Sequence, residues 1–123
     1  MAKILVVEDE FLIRLLIVET LENDGYTVLE APDGETALAI VGATPDLDLI
    51  VTDVRMPKTD GFALARSSRA LRPKLGLLFV TGYLGTDVPA EFAADRFLQK
   101  PFDPDTLAAV VREMLEKQAA APG

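Results

Sequence analysis

Ile4-Leu5-Val6-Val7-Glu8-Asp9 is a run of four apolar residues, three of them β-branched, that ends abruptly in two carboxylates. A short continuous apolar run of this kind reads as a strand buried on both faces, the condition of a parallel sheet covered by helices. The same form recurs downstream. Leu47 to Thr52 is a third strand that ends at Asp53, Leu75 to Val80 a fourth that ends at Thr81, and Phe97-Leu98-Gln99 a fifth that ends at Lys100-Pro101. Tyr26 to Ala31 completes the set as the second.

Helical patterns fill the intervals. Phe11 to Asp24 reads as a helix closed by Gly25, and Asp33 is suited to cap a helix from Gly34 to about Ala43, which Pro45 cannot continue. Gly61 to Leu71 is a third helix, stopped by Pro73. Asp103 caps the last, with Pro104 in its first turn and Leu107, Val110, Val111 and Met114 on its apolar stripe. Between Thr86 and Ala94 the pattern is weak, and Pro89 leaves room for only a short helix. Strands alternating with helices predict an α/β fold, a doubly wound five-stranded parallel sheet of flavodoxin-like order 2-1-3-4-5 with a short or irregular fourth helix. Residues 1–117 form the expected domain and 118–123 a frayed tail or the start of a linker; Met1, so near the first strand, favours a natural start.

Composition narrows the chemistry. The 123 residues include no cysteine and no histidine. Disulfides, thiolate or imidazole metal sites, and Ser-His or Cys-His catalysis are excluded. A formal charge of −8 without a segregated basic patch argues against a nucleic-acid partner. No apolar run approaches a membrane span, and the N-terminus lacks a signal-peptide pattern, so a cytoplasmic protein with no membrane partner is expected.

In the expected strand order, Glu8-Asp9, Asp53, Thr81 and Lys100 meet at the carboxyl ends of neighbouring strands, where such sheets bind ligands. Each pair of carboxylates there repels by about 4 kcal/mol at about 4 Å for an effective dielectric near 20. A hard cation relieves this, and an all-oxygen donor set suits Mg²⁺, with Mn²⁺ the alternative. A hydroxyl and an ammonium beside the metal are placed to hold phosphoryl oxygens. Any one of these residues alone is an ordinary turn or surface residue; the joint placement points to phosphoryl chemistry.

The sequence closely resembles the receiver domain of two-component response regulators. The resemblance rests on Val6-Val7-Glu8-Asp9-Glu10, Asp53-Val54-Arg55-Met56-Pro57, Asp60-Gly61, Val80-Thr81-Gly82 and Lys100-Pro101-Phe102, which follow one another in family order across the chain. It implies that Asp53 is the phosphoacceptor, that Glu8, Asp9, Asp53 and the Arg55 carbonyl hold Mg²⁺, and that Thr81 and Lys100 bind the phosphoryl group. It further implies a cis bond before Pro101 and a switch pair of Thr81 and Phe97. The partners implied are a histidine kinase or histidine phosphotransfer protein and a downstream protein. Such a protein is a switch rather than an enzyme, with only the chemistry of its own phosphorylation and dephosphorylation.

Glu8 stands where Asp is commoner, and Gly82 follows Thr81 where Ala is often found. Phe79-Val80-Thr81-Gly82-Tyr83 is similar to a motif of certain alphaproteobacterial single-domain receivers, which carries one more residue before its tyrosine. With no output domain in the sequence, a stand-alone receiver is expected, the alternative being one piece of a larger protein. Arg55 and Tyr83, large and not carboxylates, lead us to expect slow self-dephosphorylation.

Three other readings compete. An aspartate-nucleophile phosphatase needs a second Asp at the position of Arg55, and a dinucleotide-binding module needs glycines where Glu8-Asp9-Glu10 stand. A receiver that is never phosphorylated and acts as an interaction module is the third. The first helix is apolar on nearly every side. Ile13, Leu16, Ile17 and Leu21 are expected to face the sheet and Phe11, Leu15 and Val18 to point outward, either as ordinary exposed residues or as a partner or homodimer face.

Overall fold

A computed structural model describes residues 2–56, 59–82 and 88–120. The elements follow one another as β1 (Lys3–Val7), α1 (Phe11–Asn23), β2 (Thr27–Ala31), α2 (Gly34–Ala43), β3 (Leu49–Asp53), α3 (Gly61–Leu71), β4 (Gly76–Thr81), a single 3-10 turn (Ala90–Phe92), β5 (Arg96–Gln99) and α4 (Pro104–Ala120). The five strands are parallel, in the order β2-β1-β3-β4-β5, as the sequence predicts.

Alternation along each strand sends successive side chains to opposite faces, and both faces are covered. Leu5, Val7, Ile50, Leu77 and Phe79 pack with Ala37 and Val41 of α2 and Leu64 and Ala65 of α3. Ile4, Val6, Leu49, Val51, Leu78 and Val80 pack with Ile17, Val18 and Leu21 of α1 and Leu107 and Val111 of α4. All these residues are buried, which places the two layers of core on either side of β1, β3 and β4.

Local chemistry sets the helix starts. Asp33 accepts from the Thr36 amide at 2.7 Å, Asp60 from the Ala63 amide at 2.8 Å and Asp103 from the Asp105 amide at 2.9 Å. Gly25 ends the α1 turn with φ of 91°, the left-handed conformation that glycine adopts without strain. Glu10, before α1, makes no capping bond with its side chain.

Two expectations are corrected. On α1, Val18 is buried with Ile17 and Leu21, whereas Leu16 is exposed with Phe11, Leu12 and Leu15. The inward stripe is 13-17-18-21 rather than 13-16-17-21, with Ile13 packed at its edge as expected, because on a helix apolar on every side the packing direction is set by α4 and β2, not by its own pattern. Gln118, expected in the tail, is helical and donates to the Asp48 carbonyl at 2.9 Å. The expected short fourth helix is present as the 3-10 turn after Pro89; Thr86 and Asp87, expected at its start, lie outside the described residues.

The 3-10 turn is anchored to α3. Phe92 stacks on Phe62 with centroids 5.6 Å apart, Arg66 pairs with Glu91, and Arg69 makes a two-pronged pair with Asp95 at 2.9 and 3.0 Å. Among the described residues, no helix is long and apolar enough to cross a membrane.

Candidate functional site

Parallel pairing in register brings the carboxyl ends of β1, β3, β4 and β5 to one rim. Val7 lies beside Thr52, Asp53 beside Val80 and Thr81 beside Gln99. The residue at or just after each strand end is therefore aimed at common space. Carboxylate oxygens of Glu8, Asp9 and Asp53 all lie within 4.8 Å of one another. Glu8 is buried, Asp53 half-buried and Asp9 exposed, so the cluster opens to solvent on the Asp9 side.

Lys100 enters from β5. Its Nζ donates to Glu8 Oε1 at 2.5 Å and to Asp53 Oδ2 at 3.0 Å. Its amide donates to the Thr81 carbonyl at 2.7 Å, which carries the β4–β5 pairing one step past the strand. The Lys100–Pro101 peptide bond is cis. One ammonium thus stands against three carboxylates, and the excess of negative charge among oxygen donors is the condition that a hard divalent cation relieves.

Burial acts on both partners. It pushes the Glu8 carboxyl up to about 7; the hydrogen bonds from Lys100 and the Glu10 amide oppose this, and the Asp53 charge adds to it. For Lys100, burial pulls the pKa down, but the bonds to Glu8 and Asp53 outweigh it and hold the ammonium above its ordinary value.

The backbone around Asp53 is shaped by its neighbours. The Arg55 amide donates to Asp53 Oδ1 at 3.3 Å and the Gly61 amide to the Val54 carbonyl at 2.8 Å. A Cβ on Gly61 would collide with the Asp53 carbonyl oxygen, so the loop can close onto α3 only with glycine there. The Arg55 side chain is exposed. Thr81 is buried at the end of β4. Phe97 is half-buried against the core layer beneath α2 and α3, stacked on Phe79 at 5.0 Å and tilted against Phe62 at 6.4 Å. The structure therefore brings Glu8, Asp9, Asp53 and Lys100 into one cluster, with Thr81 joined to it through the backbone of Lys100. Tyr83 lies outside the described residues.

Sequence reasoning passed over Arg14. From the first turn of α1 it donates to the Glu8 carbonyl at 2.8 Å and to Glu30 at 3.0 Å. A basic residue five positions after an aspartate was the available signal, and a solvated helix face explains such a residue equally well.

Comparison with known proteins places these features. The family described as response regulator receiver domain matches residues 4–112. The sensor kinase CckA of Brucella abortus is 42% identical over 121 residues, covering 95% of this chain and 13% of the kinase. The alkaline phosphatase synthesis transcriptional regulatory protein PhoP of Bacillus subtilis is 38% identical over 98% of this chain and 51% of its own length. The chain thus spans about half or less of these relatives. Among solved structures, a response regulator receiver domain protein of Clostridium thermocellum superposes with a TM-score of 0.88 at 28% identity, covering 98% of both chains. The receiver domain of the hybrid histidine kinase CckA gives 0.82 at 37% identity, covering 93% of this chain and 99% of that one.

Proposed function

The chain belongs to the response regulator receiver domain family, the phosphoacceptor switches of two-component signalling, and we propose that Asp53 is the residue that takes the phosphoryl group here. The observation that carries this reading is the joint reach of Lys100 to Asp53 and Glu8, with Asp9 alongside.

The donor is a phosphohistidine of a histidine kinase or of a histidine phosphotransfer protein. A carboxylate oxygen of Asp53 attacks phosphorus. The O–P bond forms as the P–N bond to the donor imidazole breaks, and the imidazole leaves with the electron pair and takes up a proton. Lys100 neutralises the equatorial oxygens during transfer, and the Thr81 hydroxyl donates to one of them afterwards. Asp9, Asp53 and the Arg55 carbonyl would hold Mg²⁺ directly and Glu8 partly through water, an all-oxygen set that fits the ion, or Mn²⁺ in its place. Bound there, the ion supplies charge to the phosphoryl oxygens and offsets the crowded carboxylates. The added phosphoryl carries about −1.5 to −2 charge, and Thr81 moving toward it opens space beside β5 that Phe97 fills. A changed β4–β5 face is then what a downstream protein reads.

In this reading the protein is a switch and not a catalyst of turnover, and the cytoplasm, where phosphohistidine donors act, is its place. The apolar side of α1 formed by Phe11, Leu12, Leu15 and Leu16, next to the site, is the surface offered to the donor or to a second copy.

Incubation with phosphoramidate and Mg²⁺ tests the proposal by intact mass. One phosphoryl group per chain is expected, none after chelation of the metal and none on Asp53→Asn. Full labelling of Asp53→Asn would falsify the site.

A further inference from the structure

We propose that Arg14 is a positioning residue for the metal site: it fixes the peptide plane that joins Glu8 to Asp9 and so sets the affinity for Mg²⁺. The inference rests on the metal-dependent reading above. The Glu8 carbonyl belongs to the peptide that links the two acidic residues, and it accepts from Arg14 Nη1 at 2.8 Å. The guanidinium is itself held by Glu30, whose Oε1 accepts from Nε at 3.0 Å, and it lies over the Phe11 ring, 5.6 Å from the centroid. The Arg14 side chain is only 15% exposed.

Among the described residues, few other bonds hold this turn; the Arg14 amide donates to the Glu10 carbonyl at 2.9 Å, within the start of α1. The Glu8 amide donates to the Ala31 carbonyl at 3.2 Å, which fixes the strand side. On the helix side, the Glu10 amide donates to Glu8 Oε2 at 3.1 Å. That bond uses the very carboxylate that a cation would engage, so it is subject to any turn of Glu8 toward metal or its water. Glu10 itself offers no side-chain cap to α1. The Arg14 bond goes to backbone, and it survives any movement of the Glu8 side chain. It therefore keeps the Asp9 carboxylate in place in both states. Its three anchors, carbonyl, carboxylate and ring, suit a planar guanidinium and not a lysine ammonium.

Two accounts of Arg14 give opposite signs. If the residue mattered only through its charge, removing a cation next to the acidic cluster would tighten Mg²⁺ binding, and lysine would be neutral. Positioning predicts that Arg14→Gln and Arg14→Lys both weaken Mg²⁺, by roughly tenfold, the usual scale for loss of an outer partner of a ligand. Glu30→Gln, which frees the outer end of the arginine at an exposed site, weakens it less. The experiment is calorimetric titration of MgCl₂ into wild type and the three variants, with urea unfolding to show that each is folded, and phosphoramidate labelling rates at saturating Mg²⁺. The expected result is a raised dissociation constant with the saturated rate near wild type. Unchanged or tighter binding by folded Arg14→Gln or Arg14→Lys overturns the inference. Absence of Mg²⁺ binding by wild type instead overturns the metal-dependent reading beneath it.

Discussion

The ammonium of Lys100 lies 3.0 Å from Oδ2 of Asp53, joining the end of β5 to the end of β3 across 47 residues of sequence. The same nitrogen also serves Glu8, so two carboxylates that would repel share one cation. Lys100→Met removes that cation and leaves both in place. Without Mg²⁺ it is expected to lower stability by about 2 kcal/mol, somewhat less than the roughly 3–5 kcal/mol for breaking a fully buried pair, because water reaches one side of this site. Mg²⁺ restores much of the loss. Urea unfolding of wild type and variant with and without MgCl₂ checks this; equal losses in both conditions would show that lysine and metal do not share a role.

The raised pKa of Glu8 sets a pH dependence. Its folded value of about 7 lies above the ordinary 4.5, so the native state binds the proton more tightly than the unfolded chain. Where native protein holds more protons, stability falls as pH rises. In chelator, this carboxyl therefore makes its favourable contribution fully only below the ordinary value and loses it as pH climbs to about 7. Glu8→Gln does not titrate, and the difference in urea midpoint, variant minus wild type, should increase from acid to neutral pH. A flat difference would contradict the burial of this carboxylate.

Two glycines make a matched pair of tests. A Cβ on Gly61 meets backbone of Asp53 and Val54, which cannot yield cheaply, whereas one on Gly42 meets nothing within 4 Å. Gly61→Ala is expected to cost about 2–3 kcal/mol by overpacking. Gly42→Ala, in the last turn of α2, should add about 0.5 kcal/mol through helix propensity. Chemical denaturation measures both, and a harmless Gly61→Ala would mean that the loop after Asp53 is not held against α3 in solution.

Coupling should run from Thr81 to Phe97. Phe97 is part of a ring cluster with Phe79, Phe62 and Phe92, so a change in its rotamer moves ring currents throughout that cluster. Thr81→Ala is expected to accept the phosphoryl group and yet to lose most of the shift changes at these phenylalanines. NMR of aromatic side chains with and without phosphoramidate reads this directly; wild-type-sized changes in the mutant would separate Thr81 from the switch.

Most of the fold was legible because the decisive strands are buried on both faces, and such runs stop where a charged residue begins: Val7 before Glu8, Thr52 before Asp53. The strand order then brought the site together without further information. The orientation of α1 was not legible, since Leu16 and Val18 are equally apolar and only the partners across the interface decide which one is buried. The 3-10 turn depends on ion pairs from Arg66 and Arg69 of α3, more than twenty residues away, that no local pattern announces. Arg14 was hidden for a related reason: it bonds to a backbone carbonyl, and backbone partners leave no trace in side-chain spacing.

The central claim is that Asp53 carries the phosphoryl group, and reductive trapping tests it most directly. Protein loaded with phosphoramidate and Mg²⁺ is treated with borohydride, which reduces an aspartyl phosphate to homoserine, and then digested and sequenced by mass spectrometry. Homoserine at position 53, absent without Mg²⁺ and absent without phosphodonor, is the predicted result. A fully loaded protein that retains aspartate at 53, with homoserine at Asp9 or elsewhere, would contradict it.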